Sequence, residues 1–437
     1  MIKEHPPKFN KTDVLALLIK HIDNNKIKNA AINCNSPYLY WDKVKYKTPN
    51  ENIEKEDFWR IVKFIRSLNY NKIKFNEFTF YFSQTNEINK YLNELDLSIK
   101  HPCEKIDLIS ESNKKYFYLN SLYEEAIASS IMEGATTTRK IAKEYLRKNK
   151  KTSDKNIKMI INNYLTMEYI VKNKDLTMDR DKLLNIHKKI THNTLLDSKD
   201  EGSFRKSNDV HVADIAKNEL IYQPPNYLDI DNLINQLCQF CNNDNYTSYF
   251  IHPIIKAIII HFTLAFIHPF VDGNGRCARA IVYWYLLKEG YNLTQYLAIS
   301  RIIQKSKIQY EDSYLKCEYD NNDLTYFIIY NLKAIIKAKE EFFNYVEKTL
   351  NKRGEITHLI SENKISENQA IILNELNNKK DYFLTVIEVQ HLLSVSNQTA
   401  RSTLESLVSK NYLKKINLNK NKFGYMLNPL NINDPSN

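Results

Sequence analysis

Between His268 and Arg279 the chain reads His-Pro-Phe-Val-Asp-Gly-Asn-Gly-Arg-Cys-Ala-Arg, so one short run holds a base, a carboxylate, two guanidinium groups and two glycines. His268 is the side chain here that exchanges protons near neutral pH. Asp272 offers a hard oxygen ligand of the kind Mg²⁺ prefers when it also binds substrate phosphates. Arg276 and Arg279 are forked cations about one helical turn apart, suited to phosphate oxygens. Gly273 and Gly275 are two of only seven glycines in 437 residues, and flanking Asn274 they allow backbone conformations that a Cβ would penalise. A Gly-Asn-Gly turn that feeds a helix presents free N–H groups and the positive end of the helix dipole, which makes an anion cradle. Base, metal ligand and anion cradle together predict phosphoryl or nucleotidyl transfer.

The flanking sequence predicts the elements that hold this loop. Upstream, the apolar run Ile254–Ile267 reads as a buried helix opened by Pro253, where the missing N–H does no harm. It includes Lys256 and His261 and falls short of the roughly 20 apolar residues of a bilayer span, so no membrane partner is expected. Downstream, Cys277–Leu287 is again helical in pattern, with Gly290 beyond its end. From Tyr116 the stripe Leu119, Leu122, Tyr123, Ala126, Ile127, Ser130, Ile131 predicts a helix stopping at Glu133-Gly134. Further helices are expected over Thr138–Arg147, Lys155–Val171, Arg180–Leu195, Leu228–Asn242, Ser306–Tyr319 and Leu324–Lys352. Gly202–Arg205 leads into the alternation Asp209-Val210-His211-Val212-Ala213, a hairpin pattern, which Tyr222-Gln223-Pro224-Pro225 breaks off.

The expected fold class is therefore mainly α. Residues 1–105 read as a small mixed α/β scaffold: helices over Lys11–Asn24 and Asp57–Leu68, a strand at Glu77–Phe82, and an aromatic stretch, Tyr38–Tyr46, expected to be an extended docking strand. Residues 106–353 form the central helical domain, and 354–366 a polar linker. Residues 367–430 read helix (Gln369–Leu376), helix (Thr385–Leu393), turn, helix (Asn397–Lys410), then two strands (Tyr412–Leu418 and Phe423–Leu427), the layout of a winged helix-turn-helix.

Composition bounds the rest. With 43% hydrophobic and 26% charged residues the chain can bury real cores, and its net charge of +11 allows a nucleic-acid or acidic partner, though Lys-rich chains more often just solvate their surface. The N-terminus lacks the apolar core of a signal peptide, and the six cysteines show no disulfide framework, which fits a cytoplasmic protein. His252, His261 and His268 are spaced as if to share a metal, but no Cys or carboxylate completes a zinc set. Cys238-Gln239-Phe240-Cys241 is a lone CxxC on a helix, read as a core or surface coincidence. No Walker or protein-kinase signature occurs.

The run His268–Arg279 fills every defined position of the Fic signature, HxFx[D/E]GNGRxxR, and residues 116–345 resemble that family as a whole. The resemblance implies a Fic helical bundle with a short β-hairpin flap that transfers AMP from ATP, with Mg²⁺, to a Tyr, Thr or Ser hydroxyl of a protein, the chain itself included. On it, His268 is the base, Asp272 holds Mg²⁺, and Gly273, Asn274 and Gly275 cradle the α- and β-phosphates. Arg276 neutralises the leaving pyrophosphate, Arg279 grips the γ-phosphate, and Tyr310 lines the adenine pocket. The flap, Val210, His211 and Val212, pairs with an extended target segment. Ser129-Ser130-Ile131-Met132-Glu133-Gly134 resembles the family's inhibitory helix, [S/T]xxxE[G/N], N-terminal to the active site as in its second regulatory class, with Ser129, Glu133 and Gly134 at the defined positions. Glu133 paired with Arg279 would then keep ATP out of its productive pose. A helix end is the plainer account of Glu133-Gly134.

The C-terminal module supports a rival class, a DNA-binding regulator with the Fic domain as nucleotide sensor. Ser396, Asn397, Gln398, Thr399 and Arg401 would meet base edges, and Lys410, Lys414, Lys415, Lys420 and Lys422 would meet phosphates. A protein-docking role for the module, a homodimer, and removal of AMP or transfer of another nucleotide or phosphate group remain alternatives.

Overall fold

The structure is a computed structural model that describes the chain apart from residues 1–3, 22–23, 50, 101–110, 149–151, 211, 215–218, 364, 378–381, 420–421 and 429–437. In the N-terminal region, α1 (Lys11–Lys20), α2 (Asn25–Asn33) and α3 (Lys55–Ser67) precede an antiparallel hairpin, β1 (Tyr70–Phe75) with β2 (Phe78–Ser83), and α4 (Asn86–Leu95). Thr85 caps α4 by accepting from the Ile88 N–H. Much of the stretch expected to be an extended docking strand is instead core, although Tyr46 at its end is exposed. Trp41–Val44 makes one helical turn, and Tyr38, Tyr40 and Trp41 are buried. Their aromatic surface is worth more inside than against a partner, and their polar tips find partners: Tyr38 Oη donates to Asp323 at 2.6 Å and Trp41 Nε1 to Glu4 at 3.0 Å.

The central helices follow in order: α5 (Glu111–Met132), α6 (Arg139–Lys148), α7 (Lys155–Lys172), α8 (Arg180–Thr191), the hairpin β3 (Val212–Asp214) with β4 (Glu219–Tyr222), α9 (Ile230–Asn242), α10 (Pro253–Ile267), α11 (Asn274–Lys288), α12 (Ile299–Lys305), α13 (Lys307–Tyr319) and α14 (Thr325–Asn363). The axis of the bundle is α10. Nearly every residue from Ile254 to Ile267 is buried, as a helix apolar on all sides requires. The N-terminal region is not a separate body: Ile27, Trp59, Phe75 and Phe80 belong to the same apolar core as Ile258, Phe262 and Phe327. A buried polar knot joins the two. Lys63 of α3 reaches Asp320 at 2.7 Å and Asp323 at 3.1 Å, and Tyr70 Oη donates to Asp323 at 2.6 Å.

The C-terminal residues form α15 (Glu367–Asn377), β5 (Phe383–Leu384), α16 (Val386–Leu393), α17 (Asn397–Ser409), β6 (Leu413–Asn419) and β7 (Lys422–Leu427), with sheet order β5-β7-β6, all antiparallel. A separate core, including Ile372, Val389, Leu404 and Tyr425, holds them together. Thr385 and Glu388 make a capping box that starts α16. The segment expected to be a polar linker, 354–366, is helical as far as Asn363, because α14 runs on through it. One glycine, Gly354, costs a helix only about 1 kcal/mol and does not end it. No described helix is long and apolar enough to cross a membrane.

Candidate active site

The C-terminus of α10 and the N-terminus of α11 meet at the His268–Gly273 loop. His268 caps α10 in the left-handed region, φ +48° and ψ +56°, a conformation costly for a residue with a Cβ. Neighbours hold it there. Arg205, itself buried, donates from Nε to the His268 carbonyl at 3.0 Å and from its backbone N–H to the Pro269 carbonyl at 2.9 Å. Its other nitrogens reach the Ser207 and Pro225 carbonyls, so one guanidinium ties the loop to the base of the β3–β4 hairpin. The His268 Nδ1 lies 3.3 Å from the Ala265 carbonyl, a contact that requires the proton on Nδ1 and leaves the Nε2 lone pair to accept another. Burial, with Arg205 nearby, holds the imidazole pKa below its ordinary value, against the opposing pull of the Ala265 carbonyl and Glu133. A neutral imidazole with an open Nε2 is the form a general base needs.

Gly273, with φ +86°, turns the chain into α11. A Cβ there would come within 2.9 Å of Thr191. The other glycine of the pair has a different reason. Gly275 is helical, and a Cβ on it would lie 2.2 Å from the Glu133 carboxylate. The Asn274 side chain, expected to join the phosphate cradle, bonds here to its own loop: Oδ1 accepts from the Phe270 N–H at 2.9 Å and Nδ2 donates to the Phe270 carbonyl at 2.8 Å. Buried, and bonded to the backbone through one donor and one acceptor, this amide shapes the loop from within.

Asp272 accepts from the Gly273 N–H at 2.5 Å and from Arg276 at 3.3 Å through Oδ1, and its side chain is 46% exposed. Its second oxygen is thus open beside the anion cradle, which fits a Mg²⁺ that takes its remaining ligands from phosphates and water. Among the described residues no three His, Cys, Asp or Glu side chains are grouped to hold a metal on their own. Arg276 is fully buried; one nitrogen meets the Ile190 carbonyl at 3.4 Å and its Nε has no partner among the described residues.

Arg279 is buried and held by the end of α5 through two of its three nitrogens. Its Nε donates to Ser129 Oγ at 3.0 Å, and its terminal nitrogen to the Ser129 carbonyl at 2.9 Å and Glu133 Oε1 at 3.0 Å. Burial alone would weaken its proton affinity, yet the Glu133 carboxylate raises the pKa overall. Gly134, φ +91°, closes α5, and the Ala135 N–H bonds back to the Ser130 carbonyl. The helix-end reading and the Arg279 contact are therefore both true of one turn. Its carboxylate lies over Gly275 at the N-terminus of α11, in the space an anion there would use.

Tyr310 and the hairpin residues lie apart from the loop. Tyr310 is buried with its hydroxyl 3.0 Å from His261 Nε2 and 3.2 Å from Tyr314, where α10 packs against α13. In the hairpin, Val210 is partly exposed, Val212 pairs with Tyr222, and His211 lies outside the described residues. The three histidines considered for zinc are not brought together: His252 pairs with Asp96 at 2.9 Å, His261 with Tyr310, and His268 with Ala265.

One residue of the site had no signal in the sequence. His187, on α8, is fully buried and stacks on Phe270 with ring centroids 3.8 Å apart. Its Nδ1 accepts from the Gly202 N–H at 3.0 Å, so its Nε2–H donates to the Asp272 carbonyl at 2.9 Å. Burial depresses its pKa to about 4, and the neutral ring links the loop to the approach of the hairpin.

Residues 177–286 match the model of the Fic/DOC family. The chain is similar to the protein named protein adenylyltransferase Fic of Drosophila sechellia, 27% identical over 219 residues, which are 48% of this chain and 42% of that one. To its counterpart from Drosophila ananassae it is 30% identical over 131 residues, 29% of this chain and 24% of the other. It thus spans less than half the length of these curated relatives. The crystal structure of a Fic family protein from Desulfovibrio desulfuricans superposes with a TM-score of 0.50 at 18% identity, covering 78% of this chain and 96% of that one, a likeness of fold. The loop from His268 to Arg279, and the helices that hold it, accordingly lie in a Fic/DOC domain, and the chain is a homologue of the Fic protein adenylyltransferases.

Proposed function

We propose that this protein transfers AMP from ATP to a hydroxyl of a protein, and that Glu133 holds that activity in check. The observation that carries the reading is the Glu133 carboxylate, 3.0 Å from Arg279 and directly over Gly275, at the start of the helix that follows the His268–Asp272 loop. A phosphate chain laid along the N-terminus of α11 meets the dipole, the N–H groups of its first turn and Arg279, and it needs the space that the carboxylate takes. With Glu133 turned away, Arg279 grips the terminal phosphate and the α-phosphorus faces His268. His268 Nε2 takes the proton of the attacking Tyr, Thr or Ser hydroxyl while its Nδ1–H stays on the Ala265 carbonyl. Asp272 is the residue that would hold Mg²⁺, which when bound offsets the charge that builds on the leaving pyrophosphate. Arg276, buried behind Asp272, adds positive charge to the same end. The hairpin backbone at Val212 offers a strand edge on which an extended target can lie.

The test is transfer of radiolabel from α-³²P-ATP with Mg²⁺ onto protein. Wild type should label itself weakly, Glu133→Gly at least tenfold more strongly, and Glu133→Gly with His268→Ala not at all. A Glu133→Gly form that stays silent with ATP, and with GTP, CTP and UTP, would overturn the reading.

A second reading, DNA binding by the C-terminal module as a winged helix-turn-helix, is favoured by one observation. Ser396, Asn397, Gln398, Thr399 and Arg401, at the start of α17, are all exposed and uncovered by the bundle. Duplex binding that weakens steeply with salt and is lost on Arg401→Ala with Lys414→Glu supports it; salt-independent or absent binding leaves the module a docking unit.

A further inference from the structure

On the far side of α5 from the active site lies a second, open cleft of about 440 Å³ between α5, α6, α12 and α14. Four cations line it, Arg139, Lys143, Arg301 and Lys348, against two carboxylates, Glu124 and Glu341, which leaves two positive charges in excess. Glu124 alone serves three of them: Arg139 Nε at 2.9 Å, Lys143, and Arg301 at 3.8 Å. Arg301 is also shared with Glu341 at 3.8 Å, and Glu341 in turn binds Lys305. Both Arg301 contacts are long, and Lys348 is exposed. Burial pushes the Lys143 ammonium below its ordinary pKa despite the carboxylate beside it, as expected of a cation with too little counter-charge. One wall is aromatic. Tyr296 and Phe342 lie with centroids 5.6 Å apart, next to a Tyr345 that is 40% exposed, and Asn120, buried, and Asn344, exposed, also line the cleft.

An anionic ligand is held best where under-compensated guanidinium and ammonium groups converge, and a planar ring is held by aromatic faces. We propose that this cleft is an accessory binding site for a nucleoside phosphate, phosphates toward Arg139, Lys143 and Arg301 and the base toward Tyr296 and Tyr345. It sits behind the brake. Glu124 lies on α5 and Glu133 directly past its end, nine residues on and about two and a half helical turns away, so they project to opposite sides. Arg139 opens α6 directly after the turn that follows Glu133. A phosphate that draws Arg139 from Glu124 loosens the tie that folds this turn back along α5. That consequence rests on reading Glu133 as a brake; the binding site does not.

Equilibrium dialysis of labelled ATP, GTP, CTP and UTP, without Mg²⁺, against Arg279→Ala protein tests the site with the active-site grip removed. At least one nucleotide should bind at one per chain, inorganic triphosphate at least tenfold more weakly. Lys348→Ala alone should weaken nucleotide binding, and Arg301→Ala with Lys348→Ala should weaken it at least tenfold at an unchanged melting temperature. No nucleotide binding, equal binding of inorganic triphosphate, or indifference to both variants overturns the site. Saturation with the nucleotide should also speed amide exchange over residues 133–138, and unchanged exchange overturns the link to Glu133. Neither measurement depends on AMP transfer.

Discussion

At the scale of single residues, two histidines on either side of one loop are kept neutral for different ends. His268 keeps its Nε2 open, and His187 spends both nitrogens on backbone groups. The pH consequence of His187 has a definite sign. Its folded pKa, about 4, lies below the ordinary 6.5, so as pH falls from 6.5 toward 4 the unfolded chain takes up a proton that the folded one refuses. Stability should therefore drop across that window by up to about 3 kcal/mol from this group, a change complete below pH 4 and absent above neutrality. Urea melts between pH 7 and 4 should show the loss, with a shallower slope in His187→Gln; equal slopes would assign it to other groups. Gly275 offers a second residue-scale prediction. Its Cβ would meet only the Glu133 carboxylate and an Arg279 nitrogen among its nearest contacts, so Gly275→Ala should fold well. If phosphate uses the same space, adding Gly275→Ala to Glu133→Gly should cut labelling about tenfold, roughly 1.4 kcal/mol. Undiminished labelling would place the phosphate elsewhere.

Among the elements, α5 carries most of the coupling. Its end supplies Ser129 and Glu133 to Arg279. One turn earlier on the core side, Glu125, buried and raised in pKa by that burial, accepts from Tyr283 at 2.7 Å and from the Ser300 N–H at 2.8 Å. The turn that carries Glu133 thus follows directly on a helix fixed to α11 and α12 and is not a loose strap. Near the other end of the bundle, α3 is pinned to the start of α14 by Lys63 between Asp320 and Asp323. Removing one partner of a buried pair strands the other charge, so Lys63→Met should cost about 3–5 kcal/mol in chemical denaturation. A loss below about 1 kcal/mol would mean the knot is not closed in solution.

For the whole molecule, two cores matter. The N-terminal region and the bundle share one, and the C-terminal module has its own, joined to α5 and α6 by polar contacts: Arg147 to Glu375 at 3.0 Å, Lys148 to Glu388 at 3.3 Å and Asn113 to Glu367 at 2.9 Å. Ion pairs of this kind weaken with salt, and apolar cores do not. Calorimetry should resolve two transitions, moving apart as NaCl is raised from 0.1 to 1 M. A single transition at both salts would make the module an integral part of the bundle.

Sequence alone determined whatever is encoded in a few neighbouring residues. The buried α10 is written in its apolar run, the loop in a dense motif among scarce glycines, and the end of α5 in Glu133-Gly134; the order of helices and strands in the C-terminal module is equally local except for the two-residue β5, too short to leave a pattern. The pairing of Glu133 with Arg279 was expected only through the resemblance to Fic proteins, since nothing in the spacing brings residues so distant together. Tertiary structure decided what each polar group does with its hydrogen bonds. Asn274 turns inward because Phe270's backbone satisfies its amide, Tyr310 is claimed by His261, and His187 and Arg205 join the loop from segments far upstream. The aromatic stretch at Tyr38–Trp41 reads the same whether it meets a partner or its own core, and only the presence of α3 and α14 beside it settles which. Local propensity writes elements and turns, whereas the partner of a buried donor is a property of the packed chain.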